Sequence, residues 1–215
     1  MAASRAEGNV TIDEANGWLR RIAENPGHSR WYIQRFRDLA ARGEDLAGEA
    51  RLVDAVVSRG SRILDAGCGT GRVGGFLAAA GHDVVGVDLD PELIAAAREE
   101  HPGPRWLVGD LAGLDLPAAG IPAGFDAVVC AGNVMTFVAP ATRREILRRF
   151  GAHVRPEGRV AVGFGAGRGY EFDAFLADAA AAGLTPDLLL RSWDLRPFTP
   201  GSDFLVALLT PQPPR

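Results

Sequence analysis

Two cysteines in 215 residues, and no apolar run of membrane-spanning length, set the first limits on this chain. Cys68 and Cys130 sit at apolar or glycine-rich strand ends, which suits reduced thiols better than a disulfide framework. The N-terminus has no basic segment followed by an apolar one, so neither a spanning helix nor a secretory leader is expected, and the reading is a soluble cytoplasmic protein. His28, His82, His101 and His153 are scattered without metal-ligand spacing, so no metal is expected. A formal charge of −4 provides no general field that would draw the chain to nucleic acid. What is present is 47% apolar content, enough for one sizeable core, so a single domain with an appendage is expected. The 27 glycines and 14 prolines punctuate apolar runs and form no low-complexity tract.

One stretch organises the rest. Ile63 to Gly71 reads ILDAGCGTG, a strand running into an aspartate and then glycines at 67, 69 and 71, and the residues up to Ala80 read as a helix. Strand, glycine turn and helix make half of a nucleotide-binding βαβ unit. Glycine lets the backbone approach a ligand and adopt the φ angles of a tight turn. The helix that follows aims its free N–H groups at the same spot.

The first sixty residues read as helices: Thr11 to Glu24 with a Thr11/Glu14 capping pair, Arg30 to Arg42 capped by Ser29, and Asp45 to Ser58. Trp31, Tyr32 and Phe36 have two readings: core packing at helical spacing, or, for Trp31, Tyr32 and Arg35, a lid over a ligand held by the glycine turn. In the second, Arg35 meets a carboxylate in a bidentate contact. The domain reading is a helical lid over residues 1–58 and a core over 59–215.

From Ser61 onward strands and helices alternate. Strands are expected at Asp83 to Asp88, Arg105 to Gly109, Phe125 to Ala131 and Gly158 to Gly165, with helices from Asp90-Pro91, over Thr142 to Gly151 and over Glu171 to Ala182. Leu188 to Trp193 and Phe204 to Leu209 are joined by a loop too short for a helix and must pair antiparallel. The fold class is therefore α/β: a doubly wound, mostly parallel seven-stranded sheet with one antiparallel strand near the edge, plus the N-terminal helical lid. Ligands on such sheets bind beyond the carboxyl ends of the strands. Asp88 lies where vicinal ribose hydroxyls can be received, Asp110 one strand further along, and Asp65 where it can brace the turn or receive an ammonium group. Each could singly be a cap or a solvated strand end. Three at successive strand ends around one glycine turn point to a site.

These residues resemble the class I S-adenosylmethionine-dependent methyltransferase family. Leu64 to Gly71 looks like the family's first motif, Val87-Asp88-Leu89-Asp90 its second element and Gly109-Asp110-Leu111 its third. The resemblance covers about Glu49 to Thr210 and implies S-adenosylmethionine as cofactor. It implies ribose on Asp88, adenine against Leu89, an adenine amino group on Asp110, and the Leu111 N–H near the ring. The methionine part would then lie by Asp65, Gly67, Cys68 and Gly69 and over the Cys130-Ala131-Gly132 floor, with Tyr32 and Arg35 from the lid. The Gly132-Asn133-Val134-Met135 loop lacks the Asn-Pro-Pro-aromatic pattern of nucleobase and glutamine-amide methylating subfamilies, and lacks the acids of metal-dependent members. A small-molecule acceptor is the expectation, with no nucleic acid or membrane partner; a homodimer is left open.

The reaction implied is in-line methyl displacement, in which a base is optional. His28, Tyr170 and Asp194 are the candidates by position, each with a plain alternative: turn residue, packing at a glycine-rich loop, and ion-pair partner of Arg196. The Gly163 to Gly169 run reads as a pocket wall or a flexible loop, since it is in the wrong place for a phosphate cradle. Arg143, Arg144, Arg148 and Arg149 read as a solvated helix face. Two rival functions stand: a nicotinamide-dependent oxidoreductase, from the shifted Gly69-x-Gly71-x-x-Gly74 register, and a non-catalytic cofactor-binding subunit.

Overall fold

The computed structural model describes residues 16–212. From residue 61 onward it follows the expected alternation: β1 (Arg62–Ala66), α4 (Arg72–Ala79), β2 (Asp83–Asp88), α5 (Pro91–Glu100), β3 (Arg105–Val108), β4 (Phe125–Cys130), α6 (Val134–Phe137), α7 (Arg143–His153), β5 (Val154–Gly165), α8 (Phe172–Ala181), β6 (Leu184–Leu190) and β7 (Phe204–Pro211). Three helices precede them, α1 (Gly17–Glu24), α2 (His28–Ala41) and α3 (Gly48–Val56).

The strands form one seven-stranded sheet in the order β3-β2-β1-β4-β5-β7-β6. The first five pair in parallel, and β7 runs antiparallel to both β5 and β6. Strand order reverses on the two sides of β1, which opens a crevice at the carboxyl ends of β1 and β4. Alternate residues feed two apolar layers. Leu64, Val128, Val162 and Phe164 pack with Phe150 and Phe175 on one face, while Ile63, Ala127, Val129 and Ala161 pack with Leu52, Val53 and Leu77 on the other. Both faces are buried because helices cover both, as parallel crossovers require.

The departures have local causes. The Thr11/Glu14 capping pair lies outside the described residues; α1 is instead capped by the Asn16 side chain, which accepts from the Trp18 and Leu19 N–H groups. Ser29 does not cap α2, which starts one residue earlier at His28; its hydroxyl has been drawn across the molecule to Asp90. The third helix is shorter at both ends than Asp45 to Ser58. β6 starts at Leu184, ahead of the expected Leu188, and includes Pro186. A proline is tolerated there because β6 is an outer strand of the sheet. Asp90 and Pro91 take the expected cap and first-turn positions of α5.

Candidate functional site

The turn after β1 holds three left-handed glycines, Gly67 at φ 78°, Gly69 at φ 55° and Gly71 at φ 78°. An L side chain is strained there. Space adds its own demand at Gly67, where a Cβ would fall 2.5 Å from a Val134 methyl. Gly71 and Gly74 are small for a different reason. Added Cβ atoms there would sit 2.9 and 2.8 Å from the Trp106 indole, and at Gly86 of β2 only 2.2 Å away. In the register that resembles a dinucleotide fingerprint, Gly71 and Gly74 are therefore accounted for by packing against one tryptophan, while Gly69 borders Tyr32.

Three acids surround the turn in different states. Asp65 is buried, and its Oδ2 accepts the Gly74 N–H at 2.8 Å, so of its two expected tasks it performs the bracing one. Burial pushes its carboxyl up to about 7, against the opposing pull of that N–H and of Arg72. Asp88 accepts the Gly69 N–H at 2.9 Å on Oδ2 and the Asp90 N–H at 2.9 Å on Oδ1. Its carboxyl is also raised by burial, in part offset by those N–H groups. A carboxylate offers about four acceptor sites, so two N–H bonds leave room for a ligand's hydroxyls. Asp110 is exposed, and its Oδ1 accepts the Ala112 N–H at 2.9 Å, capping a short turn whose first residue is Leu111.

Asp88 and Asp110 open into the same cavity, of about 300 Å³, along the carboxyl ends of the strands. Gly67, Gly69, Leu89, Leu111 and Gly132 line it from the core, and Tyr32 and Arg35 from α2. A smaller recess behind the turn is lined by Asp65, Cys68 and Ala131. Cys130 lines neither; it is fully buried in the sheet, and burial pushes its thiol far above the usual range. Its expected place on the cofactor floor is corrected to a core position, because the strand pleat turns its side chain into the apolar layer. Cys68 is likewise buried with a strongly raised thiol, so neither cysteine is a reactive thiolate.

α1 and α2 form the cavity's outer wall. Trp18, buried, stands edge-on to Tyr32 at 5.2 Å and to Phe137 at 6.0 Å and leans on His28 at 4.9 Å. Arg35 lies over Trp31 at 5.7 Å. Trp31, Tyr32 and Arg35, the residues of the lid reading, all line the cavity. One carboxylate pins this wall to the core. Asp90, 2% exposed, receives the Trp18 indole N–H at 2.9 Å and the Ser29 hydroxyl at 2.5 Å on Oδ2, while its Oδ1 caps α5 through Glu92 and Leu93. Asn16, Trp18, Arg21, Leu93, Phe137, Val138 and Arg168 also line the cavity and were not singled out from sequence. Trp18 lay inside a recognisable amphipathic helix, but its partner is 72 residues away and no local pattern points to it.

The three candidate bases separate. His28 lines the cavity, and its Nε2 is buried without a hydrogen-bond partner among the described residues. Burial, with the Arg21 charge, holds its imidazole below the ordinary histidine value. Tyr170 stacks on Phe164 and donates to Asp178 at 2.9 Å, outside the cavity. Asp194 is exposed and engaged with Ser192 and Arg196. The α7 arginines have intramolecular roles: Arg144 pairs with Asp178, Arg148 and Arg149 with Glu145, and Arg143 covers the Tyr170 ring at 4.0 Å. In the glycine run, Gly163 makes way for Trp193, 2.3 Å from where its Cβ would stand, and the Gly165 N–H donates to Asn133 Oδ1 at 2.8 Å. Among the described residues no cluster of metal-ligating side chains occurs, and no helix is long and apolar enough to cross a membrane.

A doubly wound sheet with its acids gathered over a glycine turn at the switch point defines an adenosine-binding α/β protein. Comparisons with known proteins narrow this. Residues 63–158 match the model of a methyltransferase domain. The crystal structure of a TehB-like S-adenosylmethionine-dependent methyltransferase from Corynebacterium glutamicum is 49% identical and superposes with a TM-score of 0.83 over 87% of this chain and 100% of that one. The chain belongs to the class I S-adenosylmethionine-dependent methyltransferases, and S-adenosylmethionine is the cofactor that this family indicates. Among curated relatives, a malonyl-[acyl-carrier protein] O-methyltransferase of Pectobacterium atrosepticum is 37% identical over 95 residues, which is 44% of this chain and 36% of that protein. A magnesium-protoporphyrin O-methyltransferase of Rhodobacter capsulatus is 41% identical over 116 residues, 50% of this chain and 48% of that one. The matched stretch thus spans less than half the length of either curated relative.

Proposed function

We propose that this chain moves a methyl group from S-adenosylmethionine to a small-molecule acceptor in the cavity beneath α1 and α2, with these two helices as cover and the sheet with its flanking helices, α3 among them, as catalytic core. The observation that carries this reading is the convergence of Asp88, Asp110 and the Gly67/Gly69 turn on one covered space. When bound, the cofactor supplies a methyl group already activated by a positively charged sulfur. Asp88 receives the ribose hydroxyls on its remaining lone pairs, held in place by the Gly69 and Asp90 N–H groups. Asp110 and the Leu111 N–H address the edge of the base, and Leu89 its face. Tyr32, Arg35, Gly67, Gly69 and Gly132 border the amino-acid end, with Asp65, Cys68 and Ala131 shaping the recess behind it.

The chain's own contribution to the rate is alignment and the exclusion of water, which together can account for much of such a barrier. α1 and α2 provide the exclusion. His28 is the side chain placed to take a proton: its imidazole is kept neutral near pH 7 and its Nε2 has no other partner among the described residues. The cavity, of about 300 Å³, is at the lower end of small-molecule sites, roughly 300–1,000 Å³, and has to hold the cofactor as well, so the space beside the cofactor supports only a small acceptor.

Calorimetric titration with S-adenosylmethionine, S-adenosylhomocysteine and NAD, followed by transfer of labelled methyl to an acceptor panel, tests the reading. Binding of both sulfur compounds and not of NAD is expected. Failure of either sulfur compound to bind would overturn it.

A further inference from the structure

Every one of the chain's 23 basic residues is an arginine. Most of those described are matched to a carboxylate on the surface, as Arg30, Arg37, Arg62 and Arg159 are. Arg21 and Arg168 differ. Both line the cavity, and neither has a carboxylate within ion-pair distance among the described residues. They approach the turn after β4 from two directions. Arg21, on α1, lies 4.8 Å over the Phe137 ring. Arg168, on the loop after β5, has its Nε 3.2 Å from the place a Gly165 Cβ would occupy, and Asn133 Oδ1 lies 3.7 Å from that same place. The two cations therefore border the α6 side of the cavity, where Phe137 and Val138 supply an apolar wall. The two acids that line the cavity, Asp88 and Asp110, stand at the ends of β2 and β3 and are assigned to ribose and base.

The amino-acid end of the cofactor has its own cation. Arg35 shares α2 with Tyr32, whose ring lies 3.7 Å from a Cβ placed on Gly69. That leaves Arg21 and Arg168 without an assigned ligand, beside the space left for the acceptor. A guanidinium pairs a carboxylate through two parallel N–H bonds, and Phe137 and Val138, which line the same side of the cavity, offer apolar contact for the body of the molecule.

We infer that the acceptor is a small organic carboxylate, anchored by Arg21 and Arg168 with its apolar body against Phe137 and Val138. This rests on the methyl-transfer reading above. A carboxylate gripped by guanidinium groups has its lone pairs engaged and its nucleophilicity lowered, so it serves as the anchor. The methylated atom is then a second group on the same molecule, within reach of His28.

The test uses the full chain saturated with S-adenosylhomocysteine in a carboxylate-free buffer. Benzoate, cyclohexanecarboxylate and 4-hydroxybenzoate are each titrated against the corresponding primary amide. At least one acid is expected to bind tenfold or more tightly than its amide, and this preference should vanish in the R21Q/R168Q double variant, whose retained S-adenosylhomocysteine binding shows that it is folded. If no acid outbinds its amide, or if the preference survives in the double variant, the inference is overturned. If S-adenosylhomocysteine itself fails to bind the unmodified chain, the methyl-transfer reading has failed first, and the two failures are told apart.

Discussion

Asp65 carries a carboxylate that the glycine turn has closed off from water. Unfolded, such a group titrates near 3.9; folded, burial holds it up to about 7. Between those values the folded chain keeps a proton that the unfolded chain gives up, so the stability present below about pH 4 is lost progressively as pH rises through 7. Asp65→Asn keeps an oxygen for the Gly74 N–H and has no proton to lose. Its stability relative to the unmodified chain should therefore rise by on the order of 1–4 kcal/mol between pH 5 and pH 8, read from urea unfolding at the two pH values. An offset independent of pH would mean that Asp65 is ionised in the folded state at both. Asp88 shows how the same side chain one strand over is put to other use. Its two N–H bonds fix both oxygens while leaving lone pairs toward the cavity. Removing a charged acceptor costs about 1.5–3 kcal/mol, so Asp88→Ala should weaken S-adenosylhomocysteine roughly 10- to 100-fold by calorimetry. Retention of full affinity would show that the ribose lies elsewhere.

Elements meet where sequence says least. The acids at the ends of β1, β2 and β3 were legible because a buried parallel strand reads as an apolar run and its end as the first polar residue. The contact between α1, α2 and α5 was not legible. Helical spacing gives a face to bury but not the surface that receives it, and Ser29, a plausible cap by local rules, instead spans 61 residues to reach Asp90. Cys130 was misplaced for a related reason, since a one-residue change of side in a pleated strand exchanges cavity for core. The α1 contact can be weakened selectively. Trp18→Phe removes the indole N–H to Asp90 while Ser29 still holds Oδ2 and the α5 cap is untouched. Opening of α1 should become easier by about 1.5–3 kcal/mol, the loss expected for one hydrogen bond to a charged group, so S-adenosylhomocysteine dissociation, followed by stopped flow, should quicken roughly tenfold or more. An unchanged dissociation rate would mean that α1 does not close the site.

Across the whole molecule, the alternation of strands and helices was legible from their spacing, and so was the antiparallel pairing of the last two strands, because the ten residues between Trp193 and Phe204 fall short of the dozen or more that a parallel crossover needs. What spacing could not supply was the reason for each glycine. Gly67 and Gly69 border the cavity, whereas Gly71, Gly74 and Gly86 make way for Trp106, and all of them look alike in sequence. A ligand that binds only the folded chain stabilises it by about 2.7 kcal/mol at a hundred times its Kd, and 1 kcal/mol moves Tm by about 2–4 °C for a chain of this size. S-adenosylhomocysteine at that excess should raise Tm by roughly 5–10 °C by scanning calorimetry, and NAD at the same concentration should leave it unchanged.

The indole of Trp18 sits with its N–H on a buried carboxylate and its rings against His28, Tyr32 and Phe137. Trp18 and Trp31 are the two tryptophans that line the cavity, so their emission should respond to a ligand bound there. An unlabelled sample carries its own optical gauge of entry and exit, readable on the millisecond scale without dye or tag.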